Sequence, residues 1–140
     1  MMRTIVVSGT RSGIGKTFLA QKLLKQLPGW SALKVTVSKK NCPHERNCGI
    51  CSEIKNPFYI IKDKHIINQK GKDTSRLKSA GAKQVIWLKA KPEGLRKGLN
   101  QALSEFSNCE GIIIEGTSVL KFIKPDLNIH IYERGKLNLC

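Results

Sequence analysis

Acidic residues are scarce in this chain: ten Asp and Glu stand against twenty-five Lys and Arg, a formal charge of +15 over 140 residues. The shortage turns the partner question towards polyanions, that is nucleotide phosphates, nucleic acid or an acidic protein. The excess charge is spread along the chain and not gathered in a tail. Aromatic residues are also few, with two Trp, two Tyr and four Phe, which leaves little for base stacking along a single strand. No run of 18 or more apolar residues occurs, which speaks against a membrane span. The opening "MMRTIVVSGT" has too short an apolar part for a signal peptide, so a cytoplasmic protein is expected. Repeats, low-complexity segments and clear linkers are missing, and the length suits one domain over 1–140.

What is present is alternation. "TIVVS" (Thr4–Ser8), "SALKVTVS" (Ser31–Ser38), "QVIWLKA" (Gln84–Ala90), "GIIIEG" (Gly111–Gly116) and "DLNIHIYE" (Asp126–Glu133) read as strands. Thr17 to Leu27 reads as a helix with Phe18, Leu19, Leu23, Leu24 and Leu27 on its apolar side, stopped by Pro28-Gly29. "DTSRLKSAGA" reads as a short helix, and Pro92 to Phe106 as a longer one with Leu95, Leu99, Ala102, Leu103 and Phe106 inward. "FYIIKDKHIINQ" (Phe58–Gln69) reads as a hairpin turning near Asp63-Lys64. The expected fold is α/β, a three-layer arrangement with a mostly parallel sheet, helices on both faces and this small hairpin.

The chemistry starts at "VVSGTRSGIGKTFLAQKLL", Val6 to Leu24. An apolar strand runs into a glycine-rich loop, then Gly15-Lys16-Thr17 and a helix. In such a loop glycines let the backbone approach phosphate oxygens, and the helix start offers free N–H groups and a positive dipole end. Lys16 is suited to the terminal phosphates and Thr17 to a Mg²⁺ ion. The cofactor-binding set is therefore Gly9, Thr10, Gly13, Ile14, Gly15, Lys16, Thr17 and Phe18. Glu115 closes a run of three isoleucines, where a carboxylate must be paired or bound to metal. With Asp73, at a loop-to-helix junction, it is a candidate to hold Mg²⁺ beside Thr17, directly or through water. The competing readings are a buried lysine pair for Glu115 and a helix N-cap for Asp73. No Asn-Lys-x-Asp motif fixes the base, so GTP and ATP stay open; Asn128 is a weak candidate for base contact.

Gly9 is separated from Gly15 by one residue more than in the common phosphate loop. "GTRSGIGKT" resembles the loop of dethiobiotin synthetases and cobyrinic acid amide synthases, Gly-Thr-x-x-x-x-Gly-Lys-Thr, in the P-loop branch that also holds MinD-like ATPases and MobB. "GKDTSRLKSAGAKQV" (Gly71–Val85) resembles a MobB segment in which Gly-Lys-Asp-Ser-x-Arg precedes Ala-Gly-Ala. "IIIEGTSVLKFIKPDLNIHI" (Ile112–Ile131) is similar to the MobB stretch whose strand ends in Glu-Gly. The resemblance implies a GTP- or ATP-binding accessory protein with slow Mg²⁺-dependent hydrolysis, serving molybdenum-cofactor or related cofactor synthesis through a partner enzyme. It also implies a homodimer in which Arg11, at the position of a trans-acting lysine in MinD-like relatives, joins Lys16 as a catalytic residue of the other subunit. Two rival readings are an ATP-dependent small-molecule ligase or kinase like dethiobiotin synthetase, and a basic metal-containing nucleic-acid-binding module.

Residues 39–57 stand outside that pattern as a Cys-rich loop insertion. Cys42, Cys48 and Cys51, with His44 between, form C-x5-C-x2-C, a set that suits Cys3His zinc or an iron–sulfur cluster with an outside ligand. Cys109 reads as a small loop or core residue, and His65 and His130 as structural residues in strand-like runs.

Overall fold

The computed structural model describes residues 2–11, 13–38 and 56–133 of the chain. Among them six strands form one sheet: β1 (Arg3–Gly9), β2 (Ser31–Val37), β3 (Phe58–Ile61), β4 (Val85–Ala90), β5 (Gly111–Glu115) and β6 (Leu127–Ile131). The spatial order is β3-β4-β2-β5-β1-β6. Every pairing is parallel except that of β3 with β4. The helices are α1 (Lys16–Gln26), α2 (Lys64–Ile67), α3 (Asp73–Ser79) and α4 (Leu95–Ser104), the last preceded by a 3-10 turn at Pro92–Gly94.

β5 is buried at every position because it lies inside a parallel sheet covered on both faces, where an unbroken isoleucine run is the stable solution. Two apolar clusters flank the sheet. On one face Leu95, Leu99 and Ala102 of α4, with Phe106, pack on Leu33, Ile86, Leu88, Ile112 and Ile114. On the other, Ala20 and Leu24 of α1 and Leu77 of α3 pack on Val7, Ala32, Val85 and Ile113. Each fully buried aliphatic side chain of this size contributes about 1.5–3 kcal/mol relative to an exposed one. Gly98 lets α4 come down on the sheet, since a Cβ there would meet Leu88 and Phe58 at 2.9 Å.

Two expectations are corrected. The stretch 58–69 is not a hairpin: β3 is its one strand, paired with β4, and α2 takes the place of the second arm. The reason is local. Asp63 accepts a hydrogen bond from the His65 backbone N–H at 2.8 Å, an N-cap that starts a helical turn and buries Ile67. His65 thus lies on an exposed helical turn, not in a strand. The second correction is Phe18, which is 63% exposed instead of lying on the core side of α1; the smaller Ala20 fills that position. The other helical faces agree with the expected ones, Leu19, Leu23 and Leu27 being partly buried. Among the described residues no helix is long and apolar enough to cross a membrane.

Candidate functional site

β1 ends at Gly9, between β5 and β6, and the loop it enters is tied to both neighbours. The Gly116 N–H donates to Val7 O at 3.1 Å, and the Thr10 N–H donates to Ile131 O at 3.1 Å. Thr117 grips the Gly9 peptide from both sides: its Oγ1 accepts from the Gly9 N–H and donates to the Gly9 carbonyl, each at 3.0 Å. Sequence reading did not single out Thr117; its signal was its place just beyond Glu115-Gly116 at a strand's carboxyl end.

The loop needs its glycines. Gly13 (φ 76°) and Gly15 (φ 109°) occupy the left-handed region that side chains with a Cβ avoid. Gly9 is excluded from carrying a Cβ by contact, because Ile14 Cγ2 would stand 2.6 Å from it. Ile14 therefore packs the loop against the strand end and does not border the cavity. Gly15 is the N-cap of α1 and among the described residues no side chain caps the helix, so the first-turn N–H groups are open to an anion. The stem of Lys16 folds back over Gly9, and among the described residues its ammonium has no ion-pair partner.

An open cavity of about 930 Å³ lies over this loop at the carboxyl ends of β1, β2 and β5. Gly9, Thr10, Arg11, Gly13, Gly15, Lys16, Thr17 and Phe18 border it, as do Asp73 and Glu115. The fold thus brings the expected loop residues and both expected carboxylates to one place. Thr17 donates its hydroxyl hydrogen to Glu115 Oε1 at 2.7 Å. Glu115 Oε2 is buried and has no hydrogen-bond partner among the described residues. Such an oxygen is costly to bury unless a cation or donor completes it, and with Thr17 and Asp73 it makes an all-oxygen set that fits a hard divalent cation.

The feature sequence reading missed is Lys34. It lies in the middle of β2, opposite Glu115 across the β2–β5 ladder. Its ammonium hydrogen-bonds Asp73 Oδ2 and stands 3.8 Å from Glu115 Oε1. Burial alone would raise the Asp73 carboxyl; the hydrogen bond and charge of Lys34, the Thr17 hydroxyl and the charge of Arg76 outweigh it and hold the group below its usual value. The lysine pair weighed for Glu115 is therefore present, beside the geometry that suits a metal. The signal was available: a single lysine inside the apolar strand "ALKVTV" needs an acid nearby.

Other expected residues fall elsewhere. Arg11 is ion-paired within the chain to Glu133 beyond the end of β6, which lends no support to its reaching a second subunit. Asn128 does not border the cavity; its Oδ1 accepts from the buried Ser8 hydroxyl at 3.0 Å, and His130 Nδ1 lies 2.8 Å from the same hydroxyl. Cys109 sits half-buried in the loop before β5. Cys42, His44, Cys48 and Cys51 lie outside the described residues. No protein-family model matches this chain, and neither does any curated protein or solved structure with which it was compared.

Proposed function

We propose that this chain binds a nucleoside triphosphate, GTP or ATP, together with Mg²⁺ at the loop between β1 and α1, and hydrolyses it slowly in the manner of a MobB-like accessory protein of cofactor synthesis. One observation carries the reading. Among the described residues, an uncapped helix start, an unpaired lysine folded over the strand end and a threonine bonded to a buried, half-satisfied carboxylate all border one cavity. The backbone N–H groups of the first turn of α1 bind phosphate oxygens, and the dipole end favours their charge. Lys16 neutralises the terminal phosphates. Thr17, Glu115 and Asp73 supply oxygen ligands for Mg²⁺, directly or through water, and the ion when bound offsets phosphate charge. Thr117 holds Gly9 in place and thereby sets where the loop begins.

A phosphoryl-transferring ligase or kinase is the second reading, favoured by the reach of the cavity along β2 to Thr36 and Val37, beyond the loop itself. Calorimetric titration with ATP and GTP, with and without Mg²⁺, tests the proposal. Lys16→Ala is expected to weaken triphosphate binding by at least about a hundredfold, near 2.7 kcal/mol, with the fold unchanged by circular dichroism. Equal binding by parent and variant would refute the reading.

A further inference from the structure

The two carboxylates suited to a divalent cation already face a cation of the chain's own. Lys34 and Glu115 are register partners on adjacent parallel strands, so their side chains leave the sheet on the same face at the same level. Asp73 reaches the same ammonium from the start of α3. The Lys34 side chain is 18% exposed and that of Glu115 7%, so water screens their charges little. Among the described residues the remaining charged group in contact is Arg76, which meets the other oxygen of Asp73 at 3.2 Å and is itself mostly in solvent.

We propose that Lys34 is the resident counter-ion of this site and makes entry of a divalent cation conditional on a phosphate-bearing ligand. The inference rests on the triphosphate reading for the identity of that ligand. Two carboxylates and one ammonium leave a net charge of −1, too little to draw a strongly hydrated divalent ion away from water. An ion entering beside Glu115 would also meet a like charge a few ångströms away. Lys34 satisfies Glu115 incompletely: at 3.8 Å it is an ion pair without a hydrogen bond, and Oε2 has no partner among the described residues. The acid is thus kept charged and in place without being saturated. Lys34 borders the same cavity as Lys16 and Thr17. A phosphate chain there offers its ammonium a further anionic partner beside Asp73 and Glu115, and its departure restores the full charge of the two acids. Metal and nucleotide then bind as one event, and free divalent ion is turned away.

Mn²⁺ titration read by the electron spin resonance of free Mn²⁺, with no nucleotide present, tests this. The proteins are the parent, Lys34→Met, Lys34→Arg and the double variant Lys34→Met/Glu115→Gln. Lys34→Met is expected to bind Mn²⁺ at least about tenfold more tightly than the parent, a low figure for removing a unit charge roughly 4 Å away. Lys34→Arg should behave like the parent, and the double variant should lose the gain. Parent protein that binds Mn²⁺ as tightly as Lys34→Met overturns the proposal, and so does a gain that survives Glu115→Gln. Should Lys34→Met not fold, the parent decides alone: tight Mn²⁺ binding without nucleotide overturns the proposal, and binding that requires a non-hydrolysable triphosphate supports it. Failure of the triphosphate reading shows separately, as parent protein with no affinity for ATP or GTP, while the nucleotide-free comparison of parent and Lys34→Met still reads the counter-ion.

Discussion

On the sheet face covered by α4, the central strands stay apolar to their carboxyl ends: Leu33, Val35 and Val37 on β2, Ile86, Leu88 and Ala90 on β4, Ile112 and Ile114 on β5. On the face covered by α1 and α3 the same strands begin apolar and end polar. β2 runs Ala32, Lys34, Thr36; β4 runs Val85, Trp87, Lys89; β5 runs Ile113, Glu115. The polar ends gather partly around the cavity, where α1 and α3 begin and leave the sheet uncovered. Apolar packing reaches the strand ends on one face, and the polar side chains that border the cavity occupy the carboxyl half of the other. Alternation along a single strand separates them by one residue, as between Ile114 and Glu115.

The largest expected effect is on the apolar face. Ile114→Ala should destabilise the fold by about 2–5 kcal/mol through lost burial and a cavity, read as a lower urea midpoint. Triphosphate affinity, measured where the variant is still folded, should stay near that of the parent. A strong loss of affinity without loss of stability would mean the two faces are not separable.

One residue further on, Glu115→Gln should do the reverse. The amide keeps an acceptor for Thr17 and removes a buried charge, one of whose oxygens has no partner among the described residues. Stability should change by no more than about 1 kcal/mol in either direction, while nucleotide affinity should cease to rise with Mg²⁺. Titrations that keep their Mg²⁺ dependence in this variant would remove Glu115 from the metal set.

The smallest effect concerns Asp73. Its carboxyl is held below its ordinary value, so the stability it contributes is present above the unfolded value of 3.8 and is lost as pH falls through the lower folded value. Asp73→Asn should be less stable than the parent near neutrality and should converge with it once pH falls below the lowered folded value. A difference that persists in acid would assign the effect to packing and not to charge.

Much of this was legible in the chain. A strand, a glycine loop and a helix in succession mark the site because each has a local cause, and Ile112–Glu115 announces a buried strand ending in a carboxylate. Residues 58–69 were harder, because "KHII" is too short for a period of two to be told from one helical turn; the Asp63 cap decides it. Phe18 looked inward by spacing alone, but the core side of α1 is set by which residue meets β1 and β5, and there Ala20 fits. The role of Lys34 depends on strand order. β2 and β5 are 81 residues apart in sequence at every paired position, and no local pattern says that they are neighbours.

That order also has a consequence in time. β1, which leads into the glycine loop, is hydrogen-bonded on one side to β5 and on the other to β6. Its partners are synthesised about a hundred residues after it, and closing such long loops before any contact rewards them slows folding. The helix α1 and the loop before it can take shape early, but the grip of Thr117 on Gly9 and the bond from Thr17 to Glu115 wait for the third quarter of the chain to be passed. Until then an apolar strand with two open edges is exposed. A triphosphate that binds only the finished loop would reward the last pairing step directly, so ligand present during refolding should act on the completed sheet and leave the early helix indifferent.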